Sequence, residues 1–219
     1  MSWAGQAILF DLDGVLVDSI AAVERAWLRW AERHGVDPAR VLETVHEGPA
    51  RDNVAKLAPG LDAQAEADAI DGAQAEDTEG VVALPGAAEL TATLPPGRWA
   101  VVTSANNRLA LSRLHAAAIP PPRVLVTIEA VERGKPGPDG YLAAASALGF
   151  APRECLVVEN APSGVESGRA AGATVLALFT SHSRQQLANA DLMAEDLAAT
   201  RLVGADPPRL ELRAPGPAR

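Results

Sequence analysis

The sequence predicts an α/β fold: a parallel sheet with helices on both faces, carrying a small all-helical unit inserted after the first strand. Three observations predict it. Short, continuous apolar runs recur at AILF (7–10), RWAVVT (98–103), VLVT (124–127), CLVVE (with Glu154 before it) and TVLAL (174–178), the pattern of strands covered on both faces. Helical patterns at about 106–118, 137–148 and 163–172 alternate with these runs, as in βαβ units. Between residues 19 and about 80 the rhythm stops, and Ile20, Val23, Trp27 and Trp30 follow one another at helical spacing.

In chain order, AILF feeds an acidic, glycine-containing turn and reads as a buried strand ending in a loop. The helical insert follows, continued by acidic, helix-favouring sequence from Asp62 to Glu79, and LPGA (84–87) marks the return to the alternating core. Residues 1–16 and 83–219 are therefore assigned to the α/β core and 17–82 to the helical unit. The prolines around RLELR in 205–219 suggest one edge strand and then a frayed tail.

Bulk properties narrow the partners. A formal charge of −9 and a pI near 4.9 oppose long-range attraction to nucleic acid or an anionic membrane, so an anionic substrate has to be drawn by local positive groups. No run approaches the roughly 18 apolar residues of a membrane span. The single cysteine, Cys155, excludes an internal disulfide framework and sits among apolar neighbours. The expectation is a cytoplasmic protein, monomeric or weakly dimeric.

In an open parallel sheet, ligand chemistry collects at the carboxyl ends of the strands. Four loops there carry polar groups. FDLDGVLVDS places Asp11 and Asp13 two residues apart, with Gly14 turning the chain away. VVTSANN places Thr103, Ser104 and Ala105 between a strand and a helix, where hydroxyls and backbone N–H groups can meet an anion. Lys135 lies in the Gly/Pro-rich ERGKPGPDGY, and Glu159 and Asn160 close a strand just before the helix carrying Ser163 to Gly172. Each loop alone has a plain reading as an acidic turn, a capped helix start or a solvated lysine. Their joint occurrence in one alternating fold points to a site.

DLDGVLVDS, VVTSAN, RGKPGPDGYL and VVENAPSGVESGRAAG, in this order, resemble the haloacid dehalogenase-like superfamily, over about residues 6–195. The resemblance is to the branch with a helical cap, which holds sugar-phosphate and glycerol-phosphate phosphatases and β-phosphoglucomutases. It implies a Rossmann-like core and an Mg²⁺-dependent phosphatase that releases phosphate from a small phosphorylated metabolite, a sugar or polyol phosphate, through an aspartyl-phosphate. Asp11 is then the nucleophile, Asp13 the general acid/base, Thr103 or Ser104 a phosphate donor and Lys135 the neutralising charge. Asp11, Asp13, Glu159 and Asn160 would hold the metal.

Asn160 stands where the family usually has an acid, which predicts weaker metal affinity. In the cap, HEGPARDN (46–53) resembles a loop that dips toward the site, making His46 and Arg51 candidate substrate contacts. Glu76 and Glu79 are further candidates, whereas Trp27 and Trp30 read as packing. Alternatives are a phosphosugar mutase and a binding or regulatory protein weakened by Asn160. Dehalogenation would leave Asp13 without a leaving alkoxide to protonate. A phosphonate hydrolase would need a special cap lysine, and nothing marks Lys56, the one lysine there.

Overall fold

The computed structural model describes residues 2–45 and 48–212. In chain order the elements are β1 (Ser2–Ala4), β2 (Ala7–Phe10), β3 (Val17–Asp18), α1 (Ile20–His34), α2 (Pro38–Thr44), α3 (Ala50–Leu57), α4 (Ala63–Glu76) and β4 (Val82–Ala83). Then come α5 (Ala87–Thr93), β5 (Trp99–Val102), α6 (Asn107–Ala116), β6 (Leu125–Val126), α7 (Asp139–Leu148), β7 (Cys155–Glu159), α8 (Pro162–Ala170), β8 (Thr174–Leu178), β9 (Leu192–Ala194), β10 (Thr200–Ala205) and β11 (Pro208–Leu212).

Six strands form a sheet in the order β6-β5-β2-β7-β8-β9, and every pairing in it is parallel. Alternate side chains leave a strand on opposite faces, and here both faces are dry. Ile8, Phe10, Val101, Leu156, Val158 and Leu176 join one cluster with Leu90 of α5 and Leu109 and Leu114 of α6. Ala7, Leu9, Ala100, Val102, Val157 and Val175 join the other with Tyr141 and Ala144 of α7 and Val165 of α8. This burial on both sides explains why the strands read as unbroken apolar runs. Cys155 is one of these core residues, and burial, with the nearby Glu154 charge, pushes its thiol up to about 11.

The helices α1 to α4 have their own core of Trp27, Trp30, Ala31, Val41, Val54, Leu57 and Ile70. Trp27 and Trp30 meet edge to face at 5.4 Å, and the Trp30 indole N–H donates to Glu66 Oε2 at 2.9 Å. At the base of this unit β3 pairs antiparallel with β4, and Asp77 accepts from both Arg25 and Arg29 of α1.

The C-terminal expectation is corrected. Residues 209–212 of RLELR belong to β11, the central strand of a separate antiparallel sheet ordered β1-β11-β10. A strand flanked by two others is not an edge. Residues 213–219 and His46 lie outside the described residues. Among the described residues no helix is long and apolar enough to cross a membrane.

Candidate active site

A cavity of about 570 Å³ opens where the carboxyl ends of β2, β5 and β7 face α1 and α4. The crossover rule places it there: strands on either side of β2 send their loops to the same end of the sheet.

Asp11 follows β2 directly, and its backbone N–H donates to Val158 O of β7 at 2.9 Å. The chain then turns at Gly14, whose φ of +82° belongs to the left-handed region. A Cβ on Gly14 would lie 2.0 Å from Asn160 Nδ2. This glycine thus lets the first and last polar loops touch.

Lys135 Nζ donates to Asp11 Oδ1 and to Glu159 Oε1, each at 2.6 Å, and to Val102 O at 3.2 Å. Glu159 is 1% exposed, and its other oxygen, Oε2, accepts the backbone N–H groups of Asn160 and Ala161. The Tyr141 hydroxyl donates to Oε1 at 2.7 Å. Protein donors therefore reach both Glu159 oxygens, and the resemblance places this residue among the metal ligands as well. In this structure it braces Lys135.

Burial pushes the Asp11 carboxyl up to about 7; the Lys135 charge pulls it down, while Glu159 and Asp13 push it further up. For Lys135, burial disfavours the ammonium, but Asp11 and Glu159 more than reverse this and hold its pKa above the ordinary lysine value. Tyr141 is held well above an ordinary tyrosine by burial and by the charges of Glu159 and Asp11, so it stays a donor.

Asp13 is gripped from two sides. Ser19 Oγ donates to its Oδ1 at 2.7 Å and Arg113 Nη1 to its Oδ2 at 2.5 Å. Arg113 is 6% exposed, and its Nη2 donates to Gln74 Oε1 of α4 at 2.5 Å.

In the second loop, Thr103 is buried and Ser104 is exposed to the cavity. The Ala105 N–H donates to Thr103 Oγ1 at 3.1 Å, so it is not free for an anion as expected. The cap of α6 is Asn106, whose Oδ1 accepts the Leu109 N–H at 2.9 Å; Ser104 is thereby left for a ligand.

Arg51 is exposed on α3 and does not line the cavity. Glu76 pairs with Arg108 on the surface, and the Glu79 carbonyl accepts from Arg25. Trp27 borders the cavity as well as packing in the helical core. The sequence reading missed Ser19, Asp71, Gln74, Arg113, Tyr141 and Ser181. Arg113 alone had a visible signal: it interrupts the apolar stripe Leu109, Ala110, Leu114, Ala117.

A cation would meet an oxygen-rich corner. Among the described residues no three His, Cys, Asp or Glu side chains are grouped as a metal cage. Yet Asn160 Oδ1 is buried with no hydrogen-bond partner, while its Nδ2 donates to Ser181 Oγ at 2.7 Å. An orphaned amide oxygen, on a residue that lines the same cavity as Asp11 and Asp13, suits a hard cation such as Mg²⁺.

A family model for haloacid dehalogenase-like hydrolases matches residues 6–172. Hexitol phosphatase A of Escherichia coli (strain K12) is 45% identical over 88% of this chain and 91% of its own length. 2-Deoxyglucose-6-phosphate phosphatase 2 of Saccharomyces cerevisiae is 32% identical over 89% of each chain. A crystal structure of a hydrolase from Pseudomonas syringae superposes with a TM-score of 0.72 at 27% identity, covering 88% of this chain and 94% of that one. With the aspartates, the lysine and the helical insert in their family order, the chain belongs to the haloacid dehalogenase-like hydrolases.

Proposed function

We propose that this chain is an Mg²⁺-dependent phosphatase that hydrolyses a small sugar or polyol phosphate through an aspartyl-phosphate intermediate. The observation that carries the reading is Lys135 Nζ at 2.6 Å from Asp11 Oδ1, in a cavity also lined by Asp13, Thr103 and Ser104. The substrate class follows the names of the hexitol and deoxyglucose phosphate phosphatases it resembles along most of its length.

An Asp11 oxygen attacks phosphorus, and the ester P–O bond breaks. Asp13 gives its proton to the leaving alkoxide, then takes one from the water that attacks the acyl phosphate and frees Asp11 and inorganic phosphate. Ser19 and Arg113 hold Asp13 in place for both transfers. A carboxylate meeting a phosphate brings like charges together. A lysine charge near 4 Å is worth about 4 kcal/mol at an effective dielectric near 20, roughly three decades of rate. Lys135 supplies it, and Tyr141 and Glu159 fix where its ammonium sits. Ser104 supplies a hydroxyl to the phosphate oxygens.

Mg²⁺ would be held by the Asp11 carboxylate, the Asp13 carbonyl and Asn160 Oδ1. When bound, it supplies positive charge that favours the ionised form of Asp11 and offsets the charge of the phosphoryl oxygens.

The experiment is phosphate release from p-nitrophenyl phosphate and a sugar-phosphate panel, with and without Mg²⁺, beside an Asp11→Asn control. Mg²⁺-dependent release lost in the control supports the reading. Silence across the panel points to a binding protein, and isomerisation of β-glucose 1-phosphate that outpaces phosphate release points to a mutase.

A further inference from the structure

We infer that the cavity discriminates against phosphates whose remainder carries a second anionic group, and that Asp71 is the residue that reads the hydroxyls of a polyhydroxy remainder. The inference rests on the phosphatase reading and adds to it a rule about substrate charge.

The first support is a count of charges. Among the described residues, the basic side chains lining the cavity are Lys135, Arg113 and His182. Lys135 is committed to Asp11 and Glu159 and Arg113 to Asp13 and Gln74. Against them stand five carboxylates, of Asp11, Asp13, Asp18, Asp71 and Glu159. A second phosphate or a carboxylate on the substrate would find repulsion and, among the described lining residues, no lysine or arginine that is not already paired. Arg51 points no charge into the cavity, since it does not line it.

The second support is position. Asp71 and Gln74 lie three residues apart on α4, so they share a face, and both line the cavity. Asp71 Oδ2 accepts Asn106 Nδ2 at 3.0 Å, and Asn106 immediately follows the Thr103–Ala105 loop. Gln74 reaches Arg113 and, through it, Asp13. Asp71 therefore lines the cavity on the same face of α4 as Gln74, which is linked through Arg113 to the acid that protonates the leaving oxygen. A carboxylate accepts hydrogen bonds from substrate hydroxyls and cannot donate to an anion. Burial raises the Asp71 carboxyl to about 6, with Arg113 and the Asn106 amide opposing and Asp68 and Asp13 adding to the rise. Nothing in the packing needs a charge there.

The test compares three substrates of one chain length: hexitol 6-phosphate, 6-phosphogluconate and hexitol 1,6-bisphosphate, with wild type, Asp71→Asn and Asp71→Ser. For wild type, kcat/KM for the hexitol monophosphate should exceed that for each doubly anionic ester by about a hundredfold or more. Asp71→Asn should raise KM for the hexitol monophosphate about tenfold and shrink its preference over 6-phosphogluconate by a similar factor. Comparable turnover of the three esters by wild type overturns the charge rule, independently of any variant. A preference unchanged in both Asp71 variants overturns the assignment of Asp71. If p-nitrophenyl phosphate is not hydrolysed either, the phosphatase reading falls, and this inference falls with it.

Discussion

Arg113 ties Asp13 to the helical unit: one guanidinium nitrogen donates to the Asp13 carboxylate and the other to Gln74 of α4, each at 2.5 Å. The arginine itself sits on α6, against the sheet. A guanidinium presents its donors in a rigid fork, so one buried group couples the angle of Asp13, which Ser19 also holds, to the seating of α4, which Asn106, Arg108 and Ser112 also bind. Docking of the helical unit and readiness of the acid thus share one contact.

Arg113→Met should therefore hurt twice. Leaving the Asp13 and Gln74 oxygens without their donor costs about 1–3 kcal/mol of stability. The chemical loss should depend on the leaving group. An alkyl phosphate needs a proton from a well-placed Asp13, whereas p-nitrophenolate leaves with little help, so kcat should fall about tenfold further for the alkyl ester. Arg113→Lys keeps the charge but not the fork and should recover only part of the loss. Equal losses on both esters would show that Arg113 matters for folding alone.

Asn160→Asp should tighten Mg²⁺ binding. The wild-type amide has a buried, unpartnered oxygen on a residue that lines the cavity, and a carboxylate there adds a full charge to the donor set. About tenfold higher affinity is expected, read by calorimetric titration or by the rise of Tm with Mg²⁺ concentration. Without metal the variant should be the less stable protein, because another negative charge joins Asp11 and Glu159, and the Ser181 hydroxyl, now an acceptor from Asn160 Nδ2, has to turn to donate. A metal affinity equal to wild type would remove Asn160 from the proposed ligand set.

Gly164→Ala should disable the site without touching a reacting atom. A Cβ at Gly164 would come within 1.9 Å of the Glu159 carboxyl, closer than any real contact, so Glu159 has to move. Lys135 depends on Glu159 for one of its two short ion pairs and would lose its aim at Asp11. The expected loss in kcat is about a hundredfold, the scale of misplacing one group in a preorganised site. A crystal structure of the variant should show Lys135 displaced. Full activity would mean that α8 tolerates a shift and that Glu159 is not the brace described above.

Much of this site could be read in the sequence because it lies where strands end. AILF, RWAVVT and CLVVE announce themselves by apolar continuity, and the polar residues at their carboxyl ends, Asp11, Thr103 and Glu159, then fall at one end of the sheet. Asp71 and Gln74 gave no such signal. They lie in a helix rich in alanine and acid, and their meaning arises only when α4 packs on α6 and brings Asn106 and Arg113 to them. The small sheet was misread for a related reason: β1 is three residues long and pairs with β11, about two hundred residues away, a contact that no local pattern encodes.

Asp71→Asn offers a last prediction, on stability. Burial holds the Asp71 carboxyl at about 6 in the folded protein, against about 3.9 in an unfolded chain. Between these values the folded state binds more protons than the unfolded one, so stability falls as pH rises through this window, and the full cost is present above about pH 6. Because Asp71 is only partly buried, the cost is about 1–2 kcal/mol, less than the whole shift would give. Asp71→Asn keeps an oxygen for Asn106 and removes the charge. It should raise Tm by about 2–6 °C near pH 8, with the gain shrinking to nothing near pH 4. Thermal melts of both proteins across this range check it. A gain of the same size at every pH would place its origin in packing instead of charge, and a loss near pH 8 would mean that the Asp71 carboxylate is stabilised by Arg113 more than it is penalised by burial.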